Sequence, residues 1–131
     1  MEIPERFIVI DDDPTNNMIC KFTLQRFAGN ADIKTFTDPE MALQFIKDSY
    51  NTEGSEMPTV VFLDINMPVL DGWEVLDIFK DFSPKIKQQF SIYILSSSID
   101  DRDKEKAEIS PFVKGFLSKP LLAKTLNGVF S

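Results

Sequence analysis

Short apolar runs alternate along the chain with longer segments in which apolar residues recur at helical spacing. Runs of this length and composition are typical of buried strands. Five of them are present: RFIVI (6–10), DIKTF (32–36), TVVFLD (59–64), SIYILS (91–96) and KGFLS (114–118). They are too apolar to leave one face in water, so the pattern predicts a parallel sheet covered on both sides.

The segments between and after these runs predict five helices. Pro14 suits the start of the first helix, and Asp38 or Thr37 is positioned to cap the second. The predicted helices span 14–28, 38–50, about 72–82, about 102–109 and the residues after Pro120. The apolar residues expected to face the core are Cys20, Leu24, Phe27, Ala42, Phe45, Ile46, Val75, Leu76, Phe79, Phe82, Leu122, Leu126, Val129 and Phe130.

The alternation of strand and helix limits the possible folds. Parallel strands need crossover connections, and right-handed crossovers place helices on both faces of one sheet. The pattern therefore predicts a doubly wound α/β fold, and the length of 131 residues fits a single domain. One connection, residues 49–59, is longer than usual and is expected to be an exposed insertion.

Composition excludes several classes of function. The chain has 21 acidic and 14 basic residues, a net charge of −7, which disfavours direct binding to nucleic acid or to an anionic membrane. A lone cysteine, Cys20, and an N-terminus without a signal-like apolar stretch favour the cytoplasm. The absence of histidine removes the commonest general base and excludes a phosphohistidine within this chain.

Polar residues stand at the carboxyl ends of four predicted strands. They are Asp11, Asp12, Asp13, Asp64, Ser96, Ser97, Ser98 and Lys119. In an open parallel sheet these ends form the edge at which ligands bind. Carboxylates, hydroxyls and an amine are therefore expected to converge on one cavity.

This combination suits phosphoryl chemistry. Clustered carboxylates repel one another unless a cation neutralises them, and oxygen ligands of this kind suit Mg²⁺. A divalent cation and a lysine can neutralise phosphoryl oxygens while an aspartate attacks in line. Asp64 is then expected to be the nucleophile and to form an acyl phosphate.

Each feature also has an ordinary structural explanation. The run of Asp11–Asp13 suits turns and helix caps, and Asp64 could end its strand in the same way. The serines could form a loop, and Lys119 could be a surface lysine. Only the joint placement of these residues at the ends of successive strands favours the functional explanation.

Four stretches of the sequence together resemble the receiver domain of two-component response regulators. They are IVIDDDPTNN, VVFLDINMPVLDGWE, YILSSS and GFLSKP, and they occur in the order of that family. LDINMPVLDG is a strong receiver signature by itself. The resemblance covers essentially the whole chain. It implies a flavodoxin-like (βα)5 fold with strand order 2-1-3-4-5, as in chemotaxis response regulators, and one receiver domain over 1–131 without an output domain.

The resemblance implies a metal and phosphorylation site. Asp64 is expected to be the phosphoacceptor and a direct ligand of Mg²⁺. Asp12 is expected to bind the ion directly, Asp11 through water, and Asn66 through its backbone carbonyl. Asp13 has no direct metal role in this scheme.

The resemblance also implies the parts of a switch. Lys119 pairs with the phosphoryl group, and the Lys119–Pro120 bond is expected to be cis. Ser96 takes the position of the switch hydroxyl, and Phe116 that of the switch aromatic residue. Gly72 is expected to permit a tight turn into the following helix.

Phosphorylation is then expected to remodel one face of the domain. The added charge on Asp64 draws Ser96 towards the phosphoryl group and lets Phe116 turn inward. The face consists of the fourth predicted helix, the fifth strand and the fifth predicted helix. The charged stretch 100–110 lies on it and is expected to be weakly anchored.

The implied partners are proteins. A histidine kinase or a histidine phosphotransfer protein supplies the phosphoryl group and docks near the first helix, where Met18, Ile19 and Phe22 are candidate contacts. An unidentified downstream protein reads the switch. Asn66 and Ser98 are expected to border the path of the attacking water.

Two departures and two alternatives accompany this interpretation. Phe116 has no hydroxyl, so its rotation must act by packing alone, and the spacing between Asp12 and Asp64 is lengthened by the 49–59 insertion. A degenerate receiver that serves only as an interaction scaffold is the main alternative. A haloacid-dehalogenase-type phosphatase is disfavoured because position 66 is asparagine and not a second aspartate.

Overall fold

The computed structural model describes residues 3–51, 56–97 and 100–130. Within these ranges there are five strands and six helices, which alternate along the chain except that two helices separate the third and fourth strands. The strands are β1 (Arg6–Ile10), β2 (Asp32–Phe36), β3 (Thr59–Leu63), β4 (Phe90–Ser96) and β5 (Val113–Ser118). The helices are α1 (Pro14–Phe27), α2 (Pro39–Ser49), α3 (Gly72–Lys80), α4 (Pro84–Lys87), α5 (Asp101–Ile109) and α6 (Ala123–Phe130).

The five strands form one parallel sheet in the order β2-β1-β3-β4-β5. The predicted doubly wound fold and the strand order 2-1-3-4-5 are therefore confirmed. The central strand β3 pairs with β1 and β4, and all five of its residues are buried. The direction of winding reverses between β1 and β3, so their carboxyl ends border the crevice in which such sheets bind ligands.

Two apolar clusters cover the two faces of the sheet. Successive side chains of a strand point to opposite faces. Ile8 and Ile10 accordingly pack in the cluster that contains α2 and α3, and Phe7 and Val9 pack in the cluster that contains α1 and α6. Most residues predicted to face the core are buried, and Phe27, Phe45, Phe82 and Val129 are partly buried against it.

Short polar side chains begin the first five helices. Each accepts a hydrogen bond from a backbone N–H of the first turn, which stabilises the helix start. The caps are Asp13, Asp38, Asp71, Ser83 and Asp100. Of the two candidates for the second helix, Asp38 is the cap.

Three expectations about elements are wrong. A sixth helix, α4, follows Ser83, and it was missed because a single turn is too short to show periodicity. The last helix begins at Ala123, so Leu122 precedes it and is 51% exposed instead of facing the core. The edge strand β2 is largely exposed, because it has a neighbour on one side only.

The predicted insertion 49–59 is only partly exposed. Tyr50 and Thr59 are buried, and their hydroxyl oxygens lie 2.8 Å apart. The Gln89 amide donates to the Tyr50 carbonyl, and its carbonyl accepts from the Met57 backbone N–H. The expectation of an exposed segment is therefore wrong for Tyr50 and Thr59, whereas Asn51, Glu56 and Pro58 between them are exposed as expected. Residues 52–55 lie outside the described residues.

Candidate phosphorylation and metal site

Asp64 lies one residue beyond the buried strand β3, at the carboxyl edge of the sheet. Its backbone N–H donates to the Ile10 carbonyl at 2.9 Å, which continues the pairing of β3 with β1. The side chain is only 5% exposed. The apolar strand thus fixes the position of a buried carboxylate.

Two further carboxylates meet Asp64 at this edge. Asp11 and Asp12 follow β1 directly, and Asp11 is fixed by a backbone hydrogen bond to the Phe36 carbonyl at 3.0 Å. Asp11 is buried and Asp12 is exposed, and one carboxylate oxygen from each of the three aspartates lies within 4.8 Å of the others. The structure thus brings together the three side chains predicted to act on a metal ion.

Both carboxylate oxygens of Asp11 accept hydrogen bonds from the protein. Oδ1 accepts from the Asp13 backbone N–H at 2.9 Å. Oδ2 accepts from Asn16 Nδ2 at 2.7 Å and lies 2.7 Å from Lys119 Nζ. Asp12 has no hydrogen bond of this kind among the described contacts, so Asp12 and Asp64 are the carboxylates better placed for direct metal binding.

Lys119 reaches the site from the end of β5. The Lys119–Pro120 bond is cis, as predicted, and the Lys119 backbone N–H donates to the Ser96 carbonyl at 2.9 Å. The ammonium lies 2.7 Å from Asp11 Oδ2 and 3.6 Å from Asp64 Oδ1. Burial lowers the pKa of Lys119, but the hydrogen bond and charge of Asp11, with the charge of Asp64, raise it overall above its usual value. Lys119 is therefore a cation between two carboxylates.

The environment of Asp64 resists its ionisation. Burial, followed by the charge of Asp11, raises the pKa of Asp64 to about 6. Lys119 and a hydrogen bond from the Asn66 backbone N–H act in the opposite direction. A cation next to Asp64 would offset the remaining repulsion, because it stabilises the charged form.

The chemistry of these donors fits a divalent ion that prefers oxygen ligands. The cluster consists only of carboxylates, and Mg²⁺ is bound by one or two carboxylates while it keeps several waters. Asp12 and Asp64 could hold the ion directly, with Asp11 beside them. The backbone carbonyl of Asn66 stays a predicted ligand.

The Asp13 side chain caps helix α1 and is not part of the acidic cluster. It accepts from the Thr15 backbone N–H at 2.9 Å. The ordinary explanation of the aspartate run therefore applies to its third member.

The loop after Asp64 folds back on its own start. The Gly72 N–H donates to the Ile65 carbonyl at 2.9 Å, and a Cβ at Gly72 would lie 2.6 Å from the Asp64 carbonyl oxygen. Gly72 is therefore required for close packing of the backbone, and not for the turn conformation expected from the sequence. Asp71 caps α3 in a capping box with Glu74.

An open groove of about 630 Å³ adjoins the acidic cluster. Asp12, Asn66, Trp73 and Asp103 are among the residues that line it. Trp73 Nε1 donates to Asp103 Oδ1 at 3.1 Å. Sequence reasoning missed this contact between α3 and α5, because no local pattern pairs residues that far apart.

The predicted switch residues lie on the neighbouring strands β4 and β5. Ser96 is buried at the end of β4 and pairs in register with Ser118 of β5. Phe116 is partly buried against the core and, with Ala107, borders a cavity of about 400 Å³ between α5 and β5. Ser98, predicted to border the water path, lies outside the described residues.

The predicted docking residues on α1 all point outward. Met18 is 72% exposed and Phe22 is 60% exposed, and Ile19 is exposed as well. Arg26 lies over the Phe22 ring, 5.7 Å from its centroid. None of the three is needed for the core, although the sequence alone did not settle which of them face it.

Sequence reasoning also assigned no role to two buried amides. Asn16 and Asn17 lie in the first turn of α1 and are both buried. Their signal was the pair of asparagines three and four residues after the last aspartate of the run, but helix periodicity does not show which polar residues turn inward.

No helix in the described part of the chain is long and apolar enough to cross a membrane.

Several known proteins are similar to this chain. Residues 7–130 match the response regulator receiver domain family. A two-component response regulator from Cytophaga hutchinsonii is 32% identical and superposes with a TM-score of 0.87, over 98% of this chain and 96% of that one. The chemotaxis protein CheY4 of Vibrio cholerae, at 21% identity, shares the fold with a TM-score of 0.73 over 97% and 96% of the two chains.

Curated relatives have different overall lengths. The response regulator Rcp1 of a Synechocystis strain is 24% identical over 76% of this chain and 67% of its own length. The hybrid signal transduction histidine kinase I of Dictyostelium discoideum is 26% identical over 98% of this chain, which spans only 7% of that kinase. With the match over 7–130, the chain belongs to the response regulator receiver domain family of two-component signalling.

Proposed function

We propose that the chain is a phosphorylation-dependent switch that accepts a phosphoryl group on Asp64. The observation that carries this proposal is the position of Lys119 Nζ, 2.7 Å from Asp11 and 3.6 Å from Asp64. A cation held there can neutralise a phosphoryl oxygen as it arrives at Asp64. Receiver domains are signalling domains and are generally not classed as enzymes, although this one assists its own phosphorylation.

The transfer step uses the ionised Asp64. One of its carboxylate oxygens forms a bond to phosphorus as the phosphorus–nitrogen bond of the donor phosphohistidine breaks. The imidazole leaves with the electron pair of that bond and takes up a proton from water. Lys119 Nζ exchanges its contact with the Asp64 oxygen for one with the transferred group, while its contact with Asp11 persists.

Asp12 and Asp64 would hold Mg²⁺ directly, together with the Asn66 carbonyl, and Asp11 would act through water. The bound ion supplies neutralisation of charge on the phosphoryl oxygens. Asp12 suits this role because it is exposed at the groove, where ion and donor enter.

We propose that the signal leaves through α5, β5 and α6, the face expected from the sequence. Ser96 lies next to the Lys119 backbone, so a movement of the Ser96 hydroxyl towards the phosphoryl group would act on β5 directly. Phe116 is partly buried on the same strand and has space beside it. In α5 only Ala107 is buried, which makes the helix easy to shift.

Receiver domains receive phosphoryl groups from histidine kinases or phosphotransfer proteins. We propose that the donor docks on the exposed apolar face of α1, formed by Met18, Ile19 and Phe22. An exposed cluster of this kind is unusual for a surface without a partner. A cytoplasmic location fits the buried, unpaired Cys20.

Measurement of intact mass after incubation with phosphoramidate and Mg²⁺ tests the proposal. The wild-type chain should gain one phosphoryl group, and Asp64→Asn should gain none. Asp13→Asn is the matched control, because it changes a neighbouring aspartate that caps a helix and should keep the adduct. A folded wild-type chain that gains no phosphoryl group would favour the scaffold alternative.

A further inference from the structure

The first turn of α1 contains two asparagines whose polar side chains are buried. Asn16 and Asn17 are 8% and 4% exposed, and the residues that follow on this face, Cys20 and Leu24, are fully buried. A buried amide is costly unless its hydrogen bonds are made. The acceptors of their amide N–H groups therefore indicate the role of each residue.

Both asparagines donate to Asp11. Asn17 Nδ2 donates to the Asp11 backbone carbonyl at 2.9 Å and to the Phe36 carbonyl at 3.2 Å, and so fixes the backbone. Asn16 Nδ2 donates to the side chain, at 2.7 Å from Asp11 Oδ2. Asn16 Nδ2 also donates to Cys20 Sγ at 3.6 Å. The two residues thus have different targets, one the main chain and one the carboxylate.

Asn16 and Lys119 share one oxygen atom. Lys119 Nζ also lies 2.7 Å from Asp11 Oδ2, whereas it lies 3.6 Å from Asp64 Oδ1. With the Asp13 N–H on Oδ1, the Asn16 amide fixes the rotation of the Asp11 carboxylate. The position of Asp11 Oδ2 therefore determines the position of the Lys119 ammonium relative to Asp64.

We propose that Asn16 is a positioning residue for phosphoryl transfer, which acts by holding Asp11 Oδ2 so that Lys119 stays within reach of Asp64. The proposal rests on the proposed function at Asp64. It assigns Asn16 to the transfer step and not to direct metal binding, because its amide contacts Asp11, which is proposed to act on the ion only through water, and neither Asp12 nor Asp64 in the described structure. A misplaced cation costs rate because it no longer meets the developing charge.

The test compares Asn16→Leu, which keeps the number and branching of the side-chain heavy atoms and removes the donor, with the wild-type chain. Phosphorylation by phosphoramidate is followed at varied Mg²⁺ and donor concentrations. We expect the rate constant at saturation to fall about tenfold, equivalent to about 1.4 kcal/mol, with half-saturating Mg²⁺ within about twofold of wild type. An unchanged rate constant, or a loss that excess Mg²⁺ restores, would overturn the proposal.

Asn16→Asp provides a second variant, since it keeps the shape and replaces the donor by an acceptor. It should lower the rate constant at least as much as Asn16→Leu. Asn30→Asp is the matched control, because it makes the same substitution at an exposed position outside the site and should leave the rate unchanged.

A direct readout separates this proposal from the proposed function. The Lys119 ammonium should give a ¹⁵N-correlated NMR signal that Lys119→Arg removes, and Asn16→Leu should shift or broaden it. If the wild-type chain takes no phosphoryl group, the proposed function fails, and the NMR signal still decides the positioning role. An unchanged Lys119 signal in folded Asn16→Leu would overturn that role.

Discussion

The indole nitrogen of Trp73 donates to Asp103 Oδ1 at 3.1 Å and thereby ties α3 to α5. Lys106, one turn further along α5, lies over the Trp73 ring at 5.4 Å from its centroid. Since α5 buries only Ala107, this contact adds to the packing of the helix against β5 and fixes it beside the site groove.

Asp103→Ala is therefore expected to loosen α5, although alanine favours helices. Loss of a hydrogen bond of about 1 kcal/mol should speed amide hydrogen exchange in 101–109 about fivefold. Mass spectrometry of the exchanged chain measures this. Glu105→Ala, at an exposed position of the same helix, should not speed exchange, and equal effects of both variants would contradict the prediction.

Asp64 should make the stability of the fold depend on pH. Burial, then the charge of Asp11, raises its folded-state pKa to about 6, so the folded state holds the proton more tightly than the unfolded state. Without metal, the contribution of Asp64 to stability is present below pH 4 and is lost as the pH rises through about 6.

Asp64→Asn should accordingly be more stable than the wild-type chain at pH 7.5, by about 1–2 kcal/mol after allowance for solvent screening. The difference should shrink towards pH 4. Urea unfolding in the presence of a chelator at both pH values tests the sign. A variant less stable than wild type at pH 7.5 would show that ionised Asp64 is not costly.

Binding of Mg²⁺ should stabilise the folded chain. A tenfold excess over the Kd adds about 1.4 kcal/mol, which thermal unfolding in a Mg²⁺ series would detect. Asp12→Asn should lose most of this response. Asp13→Asn should keep it, because Asp13 caps α1 and asparagine caps helices equally well. Loss of the response in both variants would indicate a less specific effect of negative charge.

Gly72→Ala should destabilise the fold by at least about 2 kcal/mol, because the new methyl group would meet backbone atoms of Asp64 and Ile65 that cannot move aside. Gly128→Ala is the matched control. It lies in α6 with nothing within 4 Å of the new Cβ, and it should raise stability by about 0.5–1 kcal/mol. Urea unfolding of both variants measures the two effects, and a tolerated Gly72→Ala would contradict the close packing.

Sequence pattern predicted the fold well where the signal was local and repeated. The runs at β1, β3 and β4 are apolar because those strands are internal, and the aspartates that follow β1 and β3 meet because parallel strands share a carboxyl edge. Helix α4 was missed, although Ser83 and Pro84 are a cap and a first-turn proline, because four residues show no period.

The remaining site features depend on tertiary contacts. In the sequence, Asn16 resembles a solvated helix residue. Only the fold shows that it shares the acceptor Asp11 Oδ2 with Lys119, which lies near the other end of the chain. In the sequence, Gly72 resembles a turn residue. Only the close approach of the Asp64 carbonyl shows that glycine is needed because there is no room for a Cβ atom. Neither relationship has a spacing that could be recognised in the sequence.

The contact between Gly72 and Ile65 separates the tip of their loop from the site at Asp64. Both ends of the segment from Ile65 to Gly72 are fixed to each other, while Val69 at its tip is 80% exposed. Changes at the tip are therefore insulated from the carboxylate of Asp64. Related chains could vary this tip to discriminate among partners and retain the same chemistry, and an engineer could alter it for the same purpose.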